Sequence, residues 1–162
     1  LDLARAADGQ PSNIQMPLPD MKESELLIRL LVNLNKFYTA IQTTDHIHQA
    51  IEILAGNAMV MDFSEITQLY ADALVCENWE GTHNTLYAQI HRDILVYSVD
   101  QLFLKYLDQL SLFNSNPQNL IQEKSKLTQL FQNIRALPEE GGSFLMKEIA
   151  WKMAKLLADS VC

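Results

Sequence analysis

The stretch Trp79–Thr82, which reads Trp-Glu-Gly-Thr, combines residue types that proton abstraction beside a carbonyl group requires. Such a reaction needs a base within hydrogen-bond reach, a partly dry pocket, and a donor for the developing enolate oxygen. Glu80 could be the base, and Trp79 would form an apolar wall beside it. Gly81 would loosen the turn, and Thr82 could cap the following helix. The competing interpretation is that Glu80 is a solvated acid in a loop near a helix start.

The composition is that of an acidic, globular protein. The 162 residues suit one domain, and 48% of them are apolar, which is enough to bury a core. Twelve Lys and Arg against twenty Asp and Glu leave a net charge of −8. Because phosphate binding requires clustered cations, we expect no nucleic-acid partner.

Cysteine usage and hydropathy indicate a reducing compartment. The two cysteines, Cys76 and Cys162, do not form the pattern of a disulfide framework, although a disulfide between them stays open. The sequence contains no signal peptide and no stretch of about 18 uninterrupted apolar residues. We therefore expect a cytoplasmic protein without firm membrane association. Since the chain starts with Leu1 instead of Met, we also expect it to be a fragment of a longer protein.

Apolar residues at helical spacing predict an all-α fold, an antiparallel helical bundle. The expected helices cover residues 23–55, 64–75, 83–113, 118–136 and 143–161. Gly56-Asn57 would stop the first helix, and Gly141-Gly142 would separate the last two. Residues 1–8 would end a preceding helix, and residues 9–20 would form a loop because they contain three prolines. Residues 58–63 could be briefly extended.

Four segments resemble, in order and spacing, the C-terminal helical domain of flavin-dependent acyl-CoA dehydrogenases. In that family a Gln-Ile-x-Gly-Gly-Asn-Gly stretch ends one helix, an Arg-Asp-Ala stretch follows, and a Tyr/Trp-Glu-Gly-Thr/Ser turn supplies a base. The segments here are Ala50–Asn57, Asp62-Phe63, Leu69–Ala73 and Trp79–Asn84. The close correspondence covers about residues 36–95. It implies one helical domain over residues 1–162, with a bundle core over 1–113 and a C-terminal extension over 114–162.

The resemblance implies a role for each residue of the turn. Glu80 would take the α-proton of an acyl-CoA thioester while a hydride leaves the β-carbon for N5 of FAD. The backbone N–H of Glu80 would donate to the thioester oxygen, with Trp79 and Gly81 beside the substrate. Thr82 and Asn84 match positions that contact the pyrophosphate or adenine of FAD.

A second group of implied cofactor contacts lies at the end of the first long helix. Glu52 and Gly56 match positions that approach the FAD of a neighbouring subunit, where close backbone approach favours glycine. Several residues depart from the family pattern. Glu52 replaces glutamine, Ala55 and Ala58 replace glycines, and Ala71 replaces the arginine before the aspartate.

The resemblance also implies what the complete protein contains. Family members have an N-terminal helical domain and a middle β-domain, and the flavin ring lies between that β-domain and the helical domain. We therefore expect the isolated chain to be inactive and not to retain FAD. The complete protein would be a homodimer or homotetramer that passes electrons to an electron-transfer flavoprotein. It would reside in the cytoplasm, or in the mitochondrial matrix of a eukaryote.

Other reactive side chains are interpreted as structural. His46 and His48 lie about 200° apart on a helix, and His83 and His91 lack ligand partners at a useful spacing. We expect no metal site, and histidines on the surface or at helix caps. Cys76 could be a nucleophile, but without a paired histidine in the sequence we interpret it as a buried structural thiol.

Two functions compete at this point. The first is the C-terminal domain of an acyl-CoA dehydrogenase, with Glu80 as base. The second is a non-catalytic helical oligomerisation or interaction module that retains the fold. The departures from the family pattern at Glu52, Ala55 and Ala71 favour this second function. A third interpretation is DNA binding, as in family relatives that are linked to DNA alkylation damage and share the tryptophan at the turn. The net charge of −8 argues against it.

Overall fold

A computed structural model describes residues 21–79, 81–111, 117–137 and 139–161 of the chain. In these residues the secondary structure is helical, and no β-strand occurs, which confirms the all-α prediction. The helices are α1 (Met21–Leu54), a 3₁₀ helix (Ala55–Met59), α2 (Ile66–Asn78), α3 (His83–Tyr97), α4 (Val99–Ser111), α5 (Pro117–Ala136) and α6 (Glu139–Val161). Within the described ranges, no helix combines the length and apolar character needed to cross a membrane.

Phe37 lies at the centre of the hydrophobic core and joins three helices. Its ring is fully buried on α1 and makes edge-to-face contacts with Tyr87 of α3 and Trp151 of α6, at centroid distances of 5.2 and 6.0 Å. Such pairs contribute about 0.5–1.5 kcal/mol beyond the area they bury. The surrounding core draws leucine, isoleucine and methionine side chains from α1, α3, α4, α5 and α6. Side chains of α6 therefore pack with those of α1 and α3 in one hydrophobic cluster.

The prediction of one helix over 83–113 is wrong, because the chain turns at Ser98. Ser98 adopts a left-handed conformation (φ 53°, ψ 40°) and its N–H donates to the carbonyl of Ile94, which ends α3. Arg135 of α5 then donates from Nη2 to the Ile94 carbonyl (3.1 Å), Ser98 Oγ (3.3 Å) and Asp100 Oδ1 (2.7 Å). The break is stabilised by a residue 37 positions away from Ser98. The spacing of apolar residues could therefore not predict it.

The prediction that Gly141-Gly142 separates the last two helices is also wrong. Both glycines lie inside α6, which begins at Glu139. At Gly142 the helix approaches both α3 and α5 closely, since an added Cβ would lie 2.8 Å from Nε2 of His91 on α3 and 3.2 Å from Cγ1 of Ile134 on α5. The glycine is required by this helix crossing, not by a turn.

The remaining boundaries follow the prediction more closely. α1 ends at Leu54 as expected, α5 begins one residue early at Pro117, and α2 continues to Asn78, three residues beyond Val75. The extended stretch expected over 58–63 is reduced to Val60 (φ −94°, ψ 104°), because the 3₁₀ helix continues to Met59 and residues 61–63 form a turn. The expected helix over 1–8 and loop over 9–20 lie outside the described residues. The division at residue 113 into core and extension stays a prediction.

Replacing Arg135 with methionine tests the interaction that holds the α3–α4 break. Asp100 is almost fully buried, so the variant leaves a buried carboxylate without its ion pair. We expect the free energy of unfolding to fall by about 2–3 kcal/mol, measured by urea denaturation. The matched control is Arg92→Met, because Arg92 is exposed and lies 3.5 Å from Asp93, which also pairs with Arg29. The control should cost less than about 1 kcal/mol, and equal losses in both variants would contradict the assignment.

Candidate functional site

The turn between α2 and α3 has a defined backbone on both sides of Glu80. Trp79 donates its N–H to the carbonyl of Val75 (2.9 Å) as α2 ends. Gly81 has a φ of 125°, which strains any residue with a side chain. Thr82 caps α3, since its hydroxyl accepts from the Thr85 N–H (3.5 Å), and this confirms the capping prediction. Glu80 itself lies outside the described residues.

Lys36 of α1 connects this turn to the core helix, and the sequence analysis missed it. Its ammonium donates to the carbonyl of Glu77 (3.1 Å) and to the carbonyl of Gly81 (2.8 Å). Glu77 is the second-last residue of α2, so its carbonyl group has no N–H partner within the helix and can accept from Lys36 instead. A positive charge at a helix C-terminus is also favourable. No local pattern could have found this contact, because the partners are backbone atoms 41 and 45 residues away.

An open groove of about 380 Å³ runs between α1 and α2 beside the turn. The lining residues are Lys36, Thr39, Ala40, Thr43, Ala73, Cys76 and Trp79. Trp79 is 69% exposed and also borders a shallower apolar depression with Leu74 and Val75. Trp79 therefore adds exposed apolar surface to this face of α2, and its place beside Glu80 stays a prediction.

The interpretation of Cys76 as a buried thiol is wrong. Cys76 is exposed and unbonded to another cysteine in the described residues. The reason is the packing of α2, whose one buried residue is Ala73. Leu74, Val75 and Cys76 follow Ala73 directly on this helix and are exposed although two of them are apolar. Cys162, the other member of the possible disulfide, lies outside the described residues.

His83, the first residue of α3, is a partly buried neighbour of the turn. Its ring packs near Phe37 and Tyr87, and Nε2 lies 3.9 Å from Glu77 Oε2. Burial lowers the pKa of His83, as do the charges of Lys36 and Lys147, while Glu77 opposes the shift. The expectation of histidines on the surface or at helix caps is thus wrong for the buried His91, whereas His83 is half-buried directly after the Thr82 cap.

His46 and His48 are exposed, as expected. In the described part of the chain, no group of three or more His, Cys, Asp or Glu side chains is placed to hold a metal ion.

Asn84 faces a different cavity from the groove beside Trp79. This second cavity has a volume of about 400 Å³ and lies between α3 and the first turns of α6. Its lining residues are Asn84, Tyr87, Ala88, His91, Phe144, Met146 and Lys147. A polar amide, a phenol and an ammonium group thus border one apolar space. The C-terminal segment contributes three of these seven residues, which a motif-based comparison would not reveal.

Glu52 and Gly56 lie far from the turn, Glu52 in the last turn of α1 and Gly56 in the 3₁₀ helix that follows. Sixteen residues separate Glu52 from Lys36, which places them about 24 Å apart along α1 at a rise of 1.5 Å per residue. Both Glu52 and Gly56 are exposed. A Cβ added at Gly56 would meet nothing within 4 Å. Nothing in the described chain therefore requires glycine here, and a requirement would have to come from an additional subunit or ligand.

The two alanines that replace family glycines are accommodated in different ways. Ala55 adopts a positive φ of 52°, a conformation that suits glycine and strains alanine. Ala58 is fully buried, so its methyl group fills space within the protein. The change at 55 stores strain, whereas the change at 58 adds packing.

Replacing Ala55 with glycine should stabilise the protein. The substitution relieves the left-handed strain, which is worth about 1–2 kcal/mol. It also raises the conformational entropy of the unfolded chain, which offsets part of that gain. We expect the free energy of unfolding to rise by about 0.5–1 kcal/mol in urea denaturation. Ala58→Gly is the matched control and should lower it by about 1–2 kcal/mol, because a buried methyl group is lost. A loss of stability in Ala55→Gly would show that the backbone at 55 is not strained.

The lowered pKa of His83 predicts a pH-dependent stability. The unfolded histidine takes up a proton near its ordinary pKa of 6.5, before the folded one does. The stabilisation from neutral His83 should thus be complete above pH 6.5 and be lost as the pH falls through the folded pKa. NMR titration of the imidazole should give a midpoint below 6.5, with the signal assigned by its disappearance in His83→Gln. The same variant should flatten the pH dependence of unfolding over about pH 5 to 7. A midpoint above 6.5 would contradict the burial argument.

Comparison with known proteins finds a family model that matches the part of the chain in which this site lies. Residues 16–95 match the family model described as "Acyl-CoA dehydrogenase, C-terminal domain". The match includes α1, α2, the turn and most of α3. No curated protein matches the chain, and no solved structure does. Over residues 16–95 the chain is thus similar to the acyl-CoA dehydrogenase C-terminal domain, which is the family that its motifs resemble.

Proposed function

We propose that this chain is the C-terminal helical domain of an FAD-dependent acyl-CoA dehydrogenase and that Glu80 is its base. The observation that carries the proposal is the turn itself. It lies inside the family match, and its flanking residues are held by the Lys36 ammonium, the left-handed Gly81 and the Thr82 cap. A base is effective only when it is held within hydrogen-bond reach of the proton it removes. These contacts supply that constraint on both sides of Glu80.

In the proposed reaction Glu80 removes the α-proton of an acyl-CoA thioester. Its carboxylate becomes a carboxylic acid, and the electron pair of the broken C–H bond forms the new double bond. FAD, when bound, accepts the hydride that leaves the β-carbon. Trp79 and the open groove between α1 and α2 provide apolar surface near this chemistry. The remaining contacts of substrate and flavin would come from domains beyond this helical unit.

The residues proposed for FAD contact fit the group unequally. Thr82 and Asn84 are neutral hydroxyl and amide groups, and these suit phosphate oxygens and the edge of an adenine ring. Gly56 is exposed and offers an unobstructed backbone. Glu52 places a carboxylate where an anionic cofactor would approach, which is unfavourable beside phosphate. We therefore assign the main contact to the α3 end of the site. On this proposal the complete enzyme is a homodimer or homotetramer, reduces an electron-transfer flavoprotein, and works in the cytoplasm or mitochondrial matrix.

A non-catalytic helical interaction module is the alternative, and one specific observation favours it. Ala55 and Ala58 replace glycines of the family pattern, and the chain accommodates one by strain and the other by packing. Large apolar side chains near this end are exposed, among them Ile53, Met61 and Phe63. A full-length protein that self-associates without ever binding flavin would support this alternative, whereas stoichiometric FAD would count against it.

Anaerobic titration of the full-length protein with saturated acyl-CoA tests the dehydrogenase proposal. We expect the wild-type flavin absorbance to bleach and the preferred chain length to identify the substrate. Glu80→Gln should keep its FAD and lose about 10²–10⁴-fold in the rate of bleaching, which is the usual contribution of a general base.

Glu65→Gln is the matched control for this experiment. It makes the same chemical change at an exposed acid just before α2, and should bleach at the wild-type rate. Bleaching of Glu80→Gln at the wild-type rate would refute the assignment of the base. Bound flavin that no acyl-CoA bleaches would refute the reaction.

A further inference from the structure

We propose that Lys36 is a positioning residue that sets the orientation of the turn carrying Glu80. The inference rests on the proposed function, because it assigns to Lys36 a part in that reaction. It starts from the two hydrogen bonds of the Lys36 ammonium, to the carbonyl of Glu77 at 3.1 Å and to the carbonyl of Gly81 at 2.8 Å.

The two carbonyls bracket the residue proposed as base. Three residues, 78 to 80, lie between Glu77 and Gly81. One side chain therefore joins both ends of this short segment to the same point in space. An ammonium group has three donors in a compact, rotatable arrangement, so it can serve two carbonyls that point from different directions. Hydrogen bonds from a charged donor are stronger than those between neutral groups.

The position of Lys36 is itself determined by the core. The next residue, Phe37, is fully buried between α3 and α6. Asn33, on the same helix, is buried and donates from Nδ2 to Gln89 Oε1 of α3 (3.3 Å). These contacts hold the rotation of α1 about its axis, and a fixed helix rotation fixes the direction in which Lys36 leaves the backbone. The turn is thus tied to a rigid element.

Two other contacts also cross the turn, a hydrogen bond from the Gly81 N–H to the Asn78 carbonyl (3.4 Å) and the approach of His83 Nε2 to Glu77 Oε2 (3.9 Å), but neither reaches α1. The φ of Gly81 and the Thr82 cap define how the chain enters α3. The Trp79 N–H bond to Val75 defines how it leaves α2. Lys36 joins the two sides to each other and to α1. Removing it should leave both helices formed while their mutual placement relaxes, and a shift of about 1 Å at a reacting group can cost about 10²-fold in rate.

The test uses full-length protein loaded with FAD and measures flavin reduction at saturating acyl-CoA in a stopped-flow instrument. Lys36→Met removes both hydrogen bonds while keeping an unbranched side chain. We expect the reduction rate to fall by about 10- to 100-fold. FAD stoichiometry and the Kd for acyl-CoA should stay within about twofold of wild type, since the variant leaves the binding groups in place.

Two further variants complete the experiment. Lys36→Arg keeps the charge, but a planar fork cannot serve both carbonyls equally, so its rate should lie between those of wild type and Lys36→Met. Lys22→Met makes the same change on an exposed residue of α1 and should match wild type. If Lys36→Met fails to bind FAD, the comparison of Lys36→Arg with wild type decides the matter. A slower rate supports positioning, and an equal rate overturns it.

The outcomes separate this inference from the function on which it rests. Loss of reduction in Glu80→Gln together with a wild-type rate in Lys36→Met would overturn the role of Lys36 alone. Unchanged reduction in Glu80→Gln would refute the base assignment and this inference together. A parallel loss of acyl-CoA affinity and rate in Lys36→Met would show a binding role and also overturn positioning.

Discussion

Burial of Phe37 between α3 and α6 is the interaction on which the rest of the structure depends. Its edge-to-face contacts with Tyr87 and Trp151 join the long first helix to elements fifty and more than one hundred residues later. Because consecutive residues on a helix point about 100° apart, directing Phe37 inward directs Lys36 elsewhere, towards the end of α2. The core and the candidate site are thus linked through two adjacent side chains of one helix.

The candidate site depends on polar contacts more than on burial. α2 places one residue, Ala73, in the interior, and its apolar residues Leu74, Val75 and Trp79 are exposed. α2 nevertheless packs along α1, and the hydrogen bonds from the Lys36 ammonium hold its C-terminal end and the turn to that same helix.

Local signals predicted part of the candidate site and missed the rest. The Thr82 cap and the freedom required at Gly81 could be predicted because both are properties of a few consecutive residues. Lys36 could not, since its partners are carbonyl groups that every residue carries. The exposure of Cys76 was also mispredicted, because burial depends on what packs over a helix and not on the type of residue. The family pattern identified the turn, and the packing of α1 shows how the turn is held.

The sequence by itself determined the helical class, the end of α1 at Leu54 and the extent of α5, because apolar periodicity and glycine or proline stop signals act over a few residues. Only the tertiary structure decided where α3 ends and α6 begins. Ser98 breaks the expected helix with an arginine from α5 bound across the break, and Gly142 lies inside α6 where it meets α3. Both decisions involve partners distant along the chain. These contacts form only when the helices pack together, so the order of residues within one short segment could not predict them.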